Sequence, residues 1–169
     1  MTGNSSKHKP EIVNIRLTKD IMSENYNRIK ELLDMIPGRK WSREEITADR
    51  PMKWEYSLLA MDNEKIIGVQ LVSKKGDSRH HHMTSVDKSH RRSGIGRAMM
   101  FNSATMAKTL GETFVTVKVE EGNEMSMNFH LKLGFTVYGE ERNDEEGVTY
   151  FLLRGTPESI LTEIENSKN

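Results

Sequence analysis

The order of apolar and polar residues along the chain predicts strands and helices in alternation. Residues 12–17 alternate between apolar and polar side chains and are rich in branched residues, which is typical of a strand. The next apolar residues recur at helical spacing; they are Met22, Tyr26, Ile29, Leu33 and Ile36. Asp20 can cap the start of this helix, and Pro37-Gly38 can end it. This is the clearest helix that the sequence predicts.

A capping box and several apolar segments predict a short helix and then a three-stranded meander. Ser42 and Glu45 have the spacing of a capping box, and Pro51 limits the helix that follows. The predicted elements are, in order, a helix over residues 43–49, strands over 56–61 and 65–73 joined by a turn at 62–64, a polar loop over 74–79 and a third strand over 80–86.

The second half of the chain contains one segment whose pattern fits both a strand and a helix. Its apolar residues alternate strictly from Met125 to Phe135, which favours a strand, whereas Asn123 and Gly134 are well placed to begin and end a helix. The pattern alone leaves both alternatives open. Around it the sequence predicts a helix over 95–109, a strand over 114–119, a hairpin of strands over 135–140 and 148–153, and a short helix over 157–165 before a polar tail.

Composition narrows the classes of function. With 169 residues, the chain is long enough for one domain with a substantial core. It has no cysteine, which excludes disulfides and cysteine-ligated zinc. Its 25 basic and 25 acidic side chains balance, so no overall field attracts nucleic acid or a membrane surface. Since it shows no signal peptide and no apolar run of about 18 residues, we expect a cytoplasmic protein with a local functional site.

A glycine-rich loop lies between a predicted strand and the predicted helix over 95–109. It reads Arg91-Arg92-Ser93-Gly94-Ile95-Gly96. The free backbone N–H groups of a helix N-terminus favour an anion, and glycines let a phosphate approach the backbone closely. The spacing fits neither the dinucleotide fingerprint nor the P-loop. Taken alone, the loop therefore favours an ordinary turn with solvated arginines over a phosphate site.

Two signatures together resemble the GNAT acyltransferase superfamily. Arg91-x-x-Gly94-x-Gly96 is similar to its acyl-CoA pyrophosphate loop, and Asn123-x-x-Ser126-x-x-Phe129-His130-x-Lys132-x-Gly134-Phe135 is similar to its second signature. The resemblance implies an α/β (α+β) fold, with a mixed, mostly antiparallel twisted sheet of about seven strands, flanking helices, and strands four and five splayed for acyl-CoA. It also implies a helix at 125–133. We expect a flexible segment at 1–10, the acetyltransferase domain at 11–155, and a short helix and polar tail at 156–169.

The resemblance also implies which residues bind the cosubstrate, acetyl-CoA. The backbone of the fourth strand would contact its pantetheine arm through Thr84, Ser85 and Val86. Loop amides would hold its pyrophosphate; they belong to Arg91, Arg92, Ser93, Gly94, Ile95, Gly96 and Arg97. Asn123 would contact the cosubstrate near the pantetheine arm, although the same residue can simply cap a helix.

Three consecutive histidines occupy the predicted fourth strand. Because side chains alternate along a strand, His80 and His82 share one face about 7 Å apart, while His81 faces the other way. The pair is similar to a His-x-His pair in arylalkylamine N-acetyltransferases, which implies that the two imidazoles take the proton of the amine. An imidazole with a pKa near 6.5 is suited to this. Two alternatives remain: histidines without a catalytic role, and a zinc site completed by His130 or a carboxylate.

His130 stands where the superfamily usually has the tyrosine that protonates the leaving thiolate. An imidazolium can also donate a proton, so we expect His130 to be the general acid, with packing against the cosubstrate as the alternative. The predicted function is acetyl transfer from acetyl-CoA to a primary amine of a small molecule or a protein, by a monomer or homodimer with no metal, nucleic-acid or membrane partner. The alternatives are a non-catalytic acyl-CoA-binding module and a histidine-based metal protein.

Overall fold

The computed structural model describes residues 11–168. Its strands are β1 (Ile12–Arg16), β2 (Leu58–Asp62), β3 (Lys65–Lys75), β4 (Ser78–Val86), β5 (Val115–Glu120), β6 (Thr136–Asn143) and β7 (Val148–Gly155). Its α-helices are α1 (Lys19–Glu24), α2 (Tyr26–Asp34), α3 (Arg43–Thr47), α4 (Lys53–Tyr56), α5 (Ile95–Thr109), α6 (Glu124–Lys132) and α7 (Pro157–Asn166). The flexible segment predicted at 1–10, and residue 169 of the predicted tail, lie outside the described residues.

One seven-stranded sheet runs through the fold in the order β1-β2-β3-β4-β5-β7-β6. Every neighbouring pair is antiparallel except β4 and β5, which are parallel. The predicted fold class is therefore confirmed. β4 and β5 pair over only three residues each, ending at His81 and Val117, although both strands continue beyond these residues. The two strands therefore separate into an open gap.

Helices cover the two faces of the sheet unequally. On one face, α1 and α2 pack mainly on β2 and β3 through a core that includes Leu32, Leu33 and Val69. On the other face, α5 and α7 pack on β5 and β7 through a second core that includes Ala104, Val117 and Ile160. As a result, β5 directs Thr116 and Lys118, which are only half-buried, away from the α5 core. A shallow cleft forms over β4 to β7 on the face of the sheet opposite α5.

Two predictions about the first helix are wrong. The single helix predicted from Met22 to Ile36 is two helices, and Thr18 rather than Asp20 caps the first, accepting a hydrogen bond from the N–H of Ile21. The break falls at Asn25, whose side-chain amide donates to the carbonyl of Ile21 at 3.0 Å. Asparagine side chains compete in this way with helical hydrogen bonds, which explains the interruption.

The polar loop predicted at 74–79 is instead the tight turn of a hairpin. β3 extends to Lys75 and β4 begins at Ser78, so only Gly76 and Asp77 connect them. The sequence misled because Arg79 is completely buried: its guanidinium forms a two-pronged ion pair with Glu112, at 2.9 and 3.0 Å. In the sequence, a charged residue that is buried with a partner of opposite charge cannot be distinguished from one that is solvated in a loop.

The ambiguous segment after Asn123 is the helix α6, so the helix implied by the resemblance is confirmed and the strand favoured by the alternating pattern is wrong. The Asn123 side chain accepts a hydrogen bond from the N–H of Ser126 at 3.2 Å, and Gly134, with φ of 86°, ends the helix.

No helix within residues 11–168 combines the length and apolar character needed to span a membrane.

Candidate active site

A β-bulge lies where β4 separates from β5. Val72 of β3 is opposite His81, and the next β3 residue along the ladder, Leu71, is opposite Met83, so His82 has no partner. Beyond this point β4 pairs with β3 alone, which leaves the side of β4 that faces the gap without a strand partner. The backbone at Thr84, Ser85 and Val86 is therefore available to a molecule lying in the gap. The bulge places His82 at the vertex of the gap, the point where β4 and β5 separate.

The glycine-rich loop lies directly after β4 and opens α5. Gly94 is the N-cap of α5 with φ of 82°, a left-handed conformation that suits glycine, and no side chain caps the helix. The first amides of α5, those of Ile95, Gly96 and Arg97, are thus free for an anion. A Cβ added at Gly94 would have no atom of residues 11–168 within 4 Å apart from its chain neighbours, so this position faces open space.

The side chains of the loop have separate roles. The Arg91 Nε donates to the carbonyl of Val86 at 3.0 Å, which ties the loop to the end of β4. Arg92, Ser93 and Arg97 are exposed, whereas Ile95 is buried, so only its backbone can reach a ligand. The structure thus brings the predicted cosubstrate residues 91–97 together at one helix N-terminus, next to the gap. Asn123 occupies the start of α6, where its side chain serves as a cap.

His80 and His82 lie on the same face of β4, as predicted, and His81 faces α5. The rings of His80 and His82 meet edge to face, with centroids 4.8 Å apart. His80 Nδ1 is 2.7 Å from Thr116 Oγ1, and His82 Nε2 is 2.6 Å from Ser73 Oγ. The ring of Trp41 packs 5.8 Å from that of His82. Sequence reasoning missed these three neighbours, because strand register and a loop from another region bring them to the pair.

Burial keeps the whole histidine row neutral at pH 7. It lowers the pKa of His80 to about 4, helped by the positive charge of Lys75, and the pKa of His82 to about 3, helped by His80. The pKa of His81 is also well below its ordinary value because of burial. His81 Nε2 lies 2.8 Å from Ser103 Oγ on α5, so its environment is that of a core residue. Neutral imidazoles can accept a proton, which is the property a base requires.

His130 is buried on α6, between the rings of Phe129 and Phe135. Its Nδ1 lies 2.7 Å from the carbonyl oxygen of Ser126. A carbonyl only accepts hydrogen bonds, so Nδ1 carries the proton and Nε2 of the neutral ring has none to give. Burial lowers the pKa of His130 to about 4. Donation to a thiolate therefore requires the imidazolium form, which is scarce at neutral pH unless a bound anion raises this pKa.

The lowered pKa of His130 predicts a change in the pH dependence of stability. Between the ordinary pKa of about 6.5 and the folded value of about 4, the unfolded state binds a proton that the folded state does not, so the free energy of unfolding falls as pH falls. Each such histidine contributes about 1.4 kcal/mol per pH unit. We expect His130→Tyr to reduce the slope of the free energy of unfolding against pH by about 1.4 kcal/mol per pH unit. Urea unfolding at several pH values from about 4.5 to 6, between the folded and unfolded pKa values of His130, measures this slope.

Phe129→Tyr, on the same helix, introduces no group that titrates in this window and is the matched control for the His130 measurement. Its slope should equal that of the parent protein. If the His130→Tyr slope also equals that of the parent, His130 is not held neutral by the fold.

Two acidic residues at and after α3, Glu45 and Asp49, are paired with cations. Arg39 forms a two-pronged ion pair with Glu45, both contacts at 2.8 Å, which lowers the pKa of Glu45 to about 2. Arg39 also contacts Glu146 at 3.1 Å and so joins the loop after α2 to the loop between β6 and β7. Asp49 binds Lys19 at 3.1 Å. These carboxylates therefore do not form a free acidic surface for a cationic acceptor.

The cleft beside His80 has a volume of about 320 Å³. Its lining includes Lys75, His80, Phe114, Lys118, Tyr138 and Arg154. Sequence reasoning missed all of these except His80, because the residues come from separate strands and meet only through the register of β3 to β7. Within residues 11–168, no three His, Asp or Glu side chains are grouped so that they could hold a metal ion.

Comparisons with known proteins agree with this geometry. A 92-residue stretch is 30% identical to the peptidyl-lysine N-acetyltransferase YjaB of Escherichia coli (strain K12), covering 54% of this chain and 56% of that protein. The match thus spans little more than half the length of this relative. Ard1 from Thermoplasma volcanium has a similar fold, with a TM-score of 0.74, 16% identity, and coverage of 86% of this chain and 97% of that one.

A second solved structure is Arabidopsis thaliana Naa50 in complex with the bisubstrate analogue CoA-Ac-MVNAL. It matches with a TM-score of 0.71 and 17% identity, over 86% of this chain and 98% of that one. The sequence model of the acetyltransferase (GNAT) family matches residues 26–135, which include both the glycine-rich loop and α6. The resemblance seen in the two signatures is thereby confirmed, and the chain belongs to the GNAT acetyltransferase family.

Proposed function

We propose that this protein transfers an acetyl group from acetyl-CoA to a primary amine, by direct attack of the amine in a ternary complex. The observation that carries the proposal is the gap between β4 and β5. It has an uncapped helix N-terminus at one end and a pair of neutral histidines at its vertex. An anionic cosubstrate can therefore bind in the gap with its phosphates at the helix N-terminus, and the histidines can act as proton acceptors where the two strands separate.

The residues of this chain fit acetyl-CoA. The amides of residues 91–97 can donate to its pyrophosphate, and the unpaired side of β4 at Thr84, Ser85 and Val86 can pair with the amide groups of its pantetheine arm. A backbone N–H of β4, near Thr84, would stabilise the oxyanion that forms on the thioester carbonyl. Asn123 lies at the start of α6, and its cap leaves the amide nitrogen of its side chain for the cosubstrate.

The histidine pair supplies the base. A primary amine with a pKa near 10 is protonated at pH 7 and cannot attack until it loses its proton. His80 or His82 accepts that proton, directly or through water, the C–N bond forms, and the C–S bond then breaks to release CoA. The proton that CoA takes up can come from His130 as imidazolium, which requires its pKa to rise when a thiolate forms nearby. Otherwise CoA takes its proton from water and His130 only packs against it.

A peptide or protein amine is the acceptor class that we favour. The E. coli relative is a peptidyl-lysine N-acetyltransferase by name, and the Naa50 structure contains a bisubstrate analogue that joins CoA to a peptide. The cleft on β4 to β7, with a volume of about 320 Å³, has space for more than an amino group. A small-molecule amine is the alternative. A second candidate function, acyl-CoA binding without catalysis, is favoured by one observation: neutral His130 carries its proton on the Nδ1 bonded to Ser126.

Release of free CoA, measured across a panel of peptide and small-molecule amines, tests the proposal. We expect release that depends on both acetyl-CoA and an amine, together with an increase in Tm when acetyl-CoA binds. An increase in Tm without CoA release from any amine would support the non-catalytic module. A Tm that falls with a chelator would support a metal protein instead.

A further inference from the structure

Two cations that line the cleft have no carboxylate partner among the described residues. The cleft contains three basic side chains, Lys75, Lys118 and Arg154. Lys118 is paired with Glu141 at 2.8 Å. The other acid of the cleft, Asp77, accepts hydrogen bonds from the hydroxyls of Thr113 and Ser78. Within residues 11–168, neither Lys75 nor Arg154 has a carboxylate at salt-bridge distance.

The Arg154 guanidinium packs over two aromatic rings, and no carboxylate of residues 11–168 forms a salt bridge with it. Its guanidinium lies 4.4 Å from the centre of the Phe114 ring and 4.7 Å from that of the Tyr138 ring. Stacking of this kind uses the faces of the guanidinium and leaves its N–H edges free. Those edges have the fork geometry that matches a carboxylate, and a fixed guanidinium loses little entropy when it binds one. The site is thus preorganised for a planar anion.

The sheet register sets the distance between this cation and the histidines. His80 is opposite Thr116, and Thr116 is opposite Arg154, so the three residues form one row across β4, β5 and β7. Neighbouring strands are about 4.8 Å apart, which places the backbones of His80 and Arg154 roughly 10 Å apart. An extended peptide advances about 3.3 Å per residue, so this span corresponds to about three residues.

We propose that the acceptor is an acidic peptide segment whose carboxylate, about 10 Å from the reacting amine, is bound by Arg154 and Lys75. The inference rests on the proposed transferase function, since it assumes that the amine lies at His80 and His82. A free α-amino acid is too short to reach both ends. A polyamine would bring a second positive charge to Arg154 and Lys75 and is rejected. Lys75 also lowers the pKa of His80, so a carboxylate bound beside it would make His80 a stronger base.

Matched peptides test this specificity. Two series carry one amine each, at the N-terminus or on a lysine side chain, and have glutamate, glutamine or lysine at the position about three residues from that amine. The C-termini are amidated. We expect the glutamate peptides to exceed the glutamine peptides by about tenfold or more in kcat/KM in at least one series, and the lysine peptides to be the poorest. Binding of fluorescent versions in the presence of CoA should show the same order.

Variants of Arg154 and Lys75 test whether these two cations cause the preference for glutamate peptides. Arg154→Gln and Lys75→Gln should each reduce the glutamate preference, and together they should bring the ratio close to one. Lys75 is exposed, so its substitution leaves the fold intact. Arg154→Lys keeps the positive charge but removes the forked N–H groups of the guanidinium, and so separates the effect of charge from that of geometry. Arg16→Gln, an exposed arginine on the edge strand β1 far from the cleft, is the matched control and should keep the full preference.

The outcomes separate the two proposals. Equal use and equal binding of glutamate and glutamine peptides by the parent protein, or a preference that persists in the Arg154→Gln, Lys75→Gln double variant, would overturn the acidic acceptor. Acetyl transfer to small-molecule amines but to no peptide would also overturn the acidic peptide acceptor and leave the transferase function standing. Absence of acetyl transfer to every peptide and every small-molecule amine would instead overturn the transferase function, and in that case the binding order still decides whether the cations select a carboxylate.

Discussion

Replacement of both His80 and His82 by glutamine is expected to slow acetyl transfer by about 10² or more, the usual contribution of general base catalysis. Glutamine has a volume close to that of histidine and has a polar amide that can replace the hydrogen bonds of the two imidazoles with Thr116 and Ser73, but it cannot accept a proton at neutral pH. The loss should therefore be in kcat, while the affinity for acetyl-CoA stays nearly unchanged. Single-turnover rates of amine acetylation measure it under conditions where chemistry limits the rate.

His81→Gln is the control for the histidine substitutions. His81 lies on the same strand but contacts Ser103 on the opposite face, so its replacement should lower stability and leave the rate per folded molecule close to that of the parent. The pH profile gives a second check. Because burial lowers the pKa values of His80 and His82 to about 4 and 3, the acid limb that they cause should lie far below the ordinary value of about 6.5 and belong to the pair. An unaltered rate in the double variant would make these histidines ordinary strand residues.

The parts of the site that could be predicted from sequence are those set by local backbone rules. Glycine at a helix N-cap, alternation of side chains along a strand, and an asparagine cap each depend on a few neighbouring residues. Gly94, the shared face of His80 and His82, and the cap at Asn123 were therefore all placed correctly. For α6, the alternating apolar pattern favoured a strand and the cap residues a helix, and only the resemblance to the GNAT superfamily gave the correct helix.

The parts that could not be predicted depend on contacts between distant segments. Arg79 is polar in sequence, and only its ion pair with Glu112, 33 residues away, allows it to be buried in β4. The stacking of Arg154 between Phe114 and Tyr138 likewise requires the pairing of β5, β6 and β7. The pKa values of the histidines follow from burial, which the sequence does not specify. The cleft and its electrostatics therefore emerge only from the folded sheet.

Gly94→Asp is expected to abolish the stabilisation of this protein by acetyl-CoA. Acetyl-CoA at about 100 times its dissociation constant should stabilise the parent by about 2.7 kcal/mol, which corresponds to roughly 5–10 °C in Tm for a domain of this size. Gly94 faces open space at the N-terminus of α5, so the Cβ of an aspartate there has no atom of residues 11–168 within 4 Å apart from its chain neighbours, and its carboxylate would lie where the pyrophosphate is expected. Repulsion between the two anions, together with the added Cβ, should prevent binding.

The control must carry the same backbone strain, because Gly94 has φ of 82° and any other residue is disfavoured there. Gly111 follows the opposite end of α5, has φ of 69°, and also has no atom within 4 Å of an added Cβ. Gly111→Asp should therefore lower the Tm of the free protein yet keep the full increase with acetyl-CoA, whereas Gly94→Asp should lose that increase. Differential scanning fluorimetry with and without acetyl-CoA measures both. An equal increase in the two variants would mean that the pyrophosphate does not bind at this helix N-terminus, and the placement of the cosubstrate along β4 would be wrong with it.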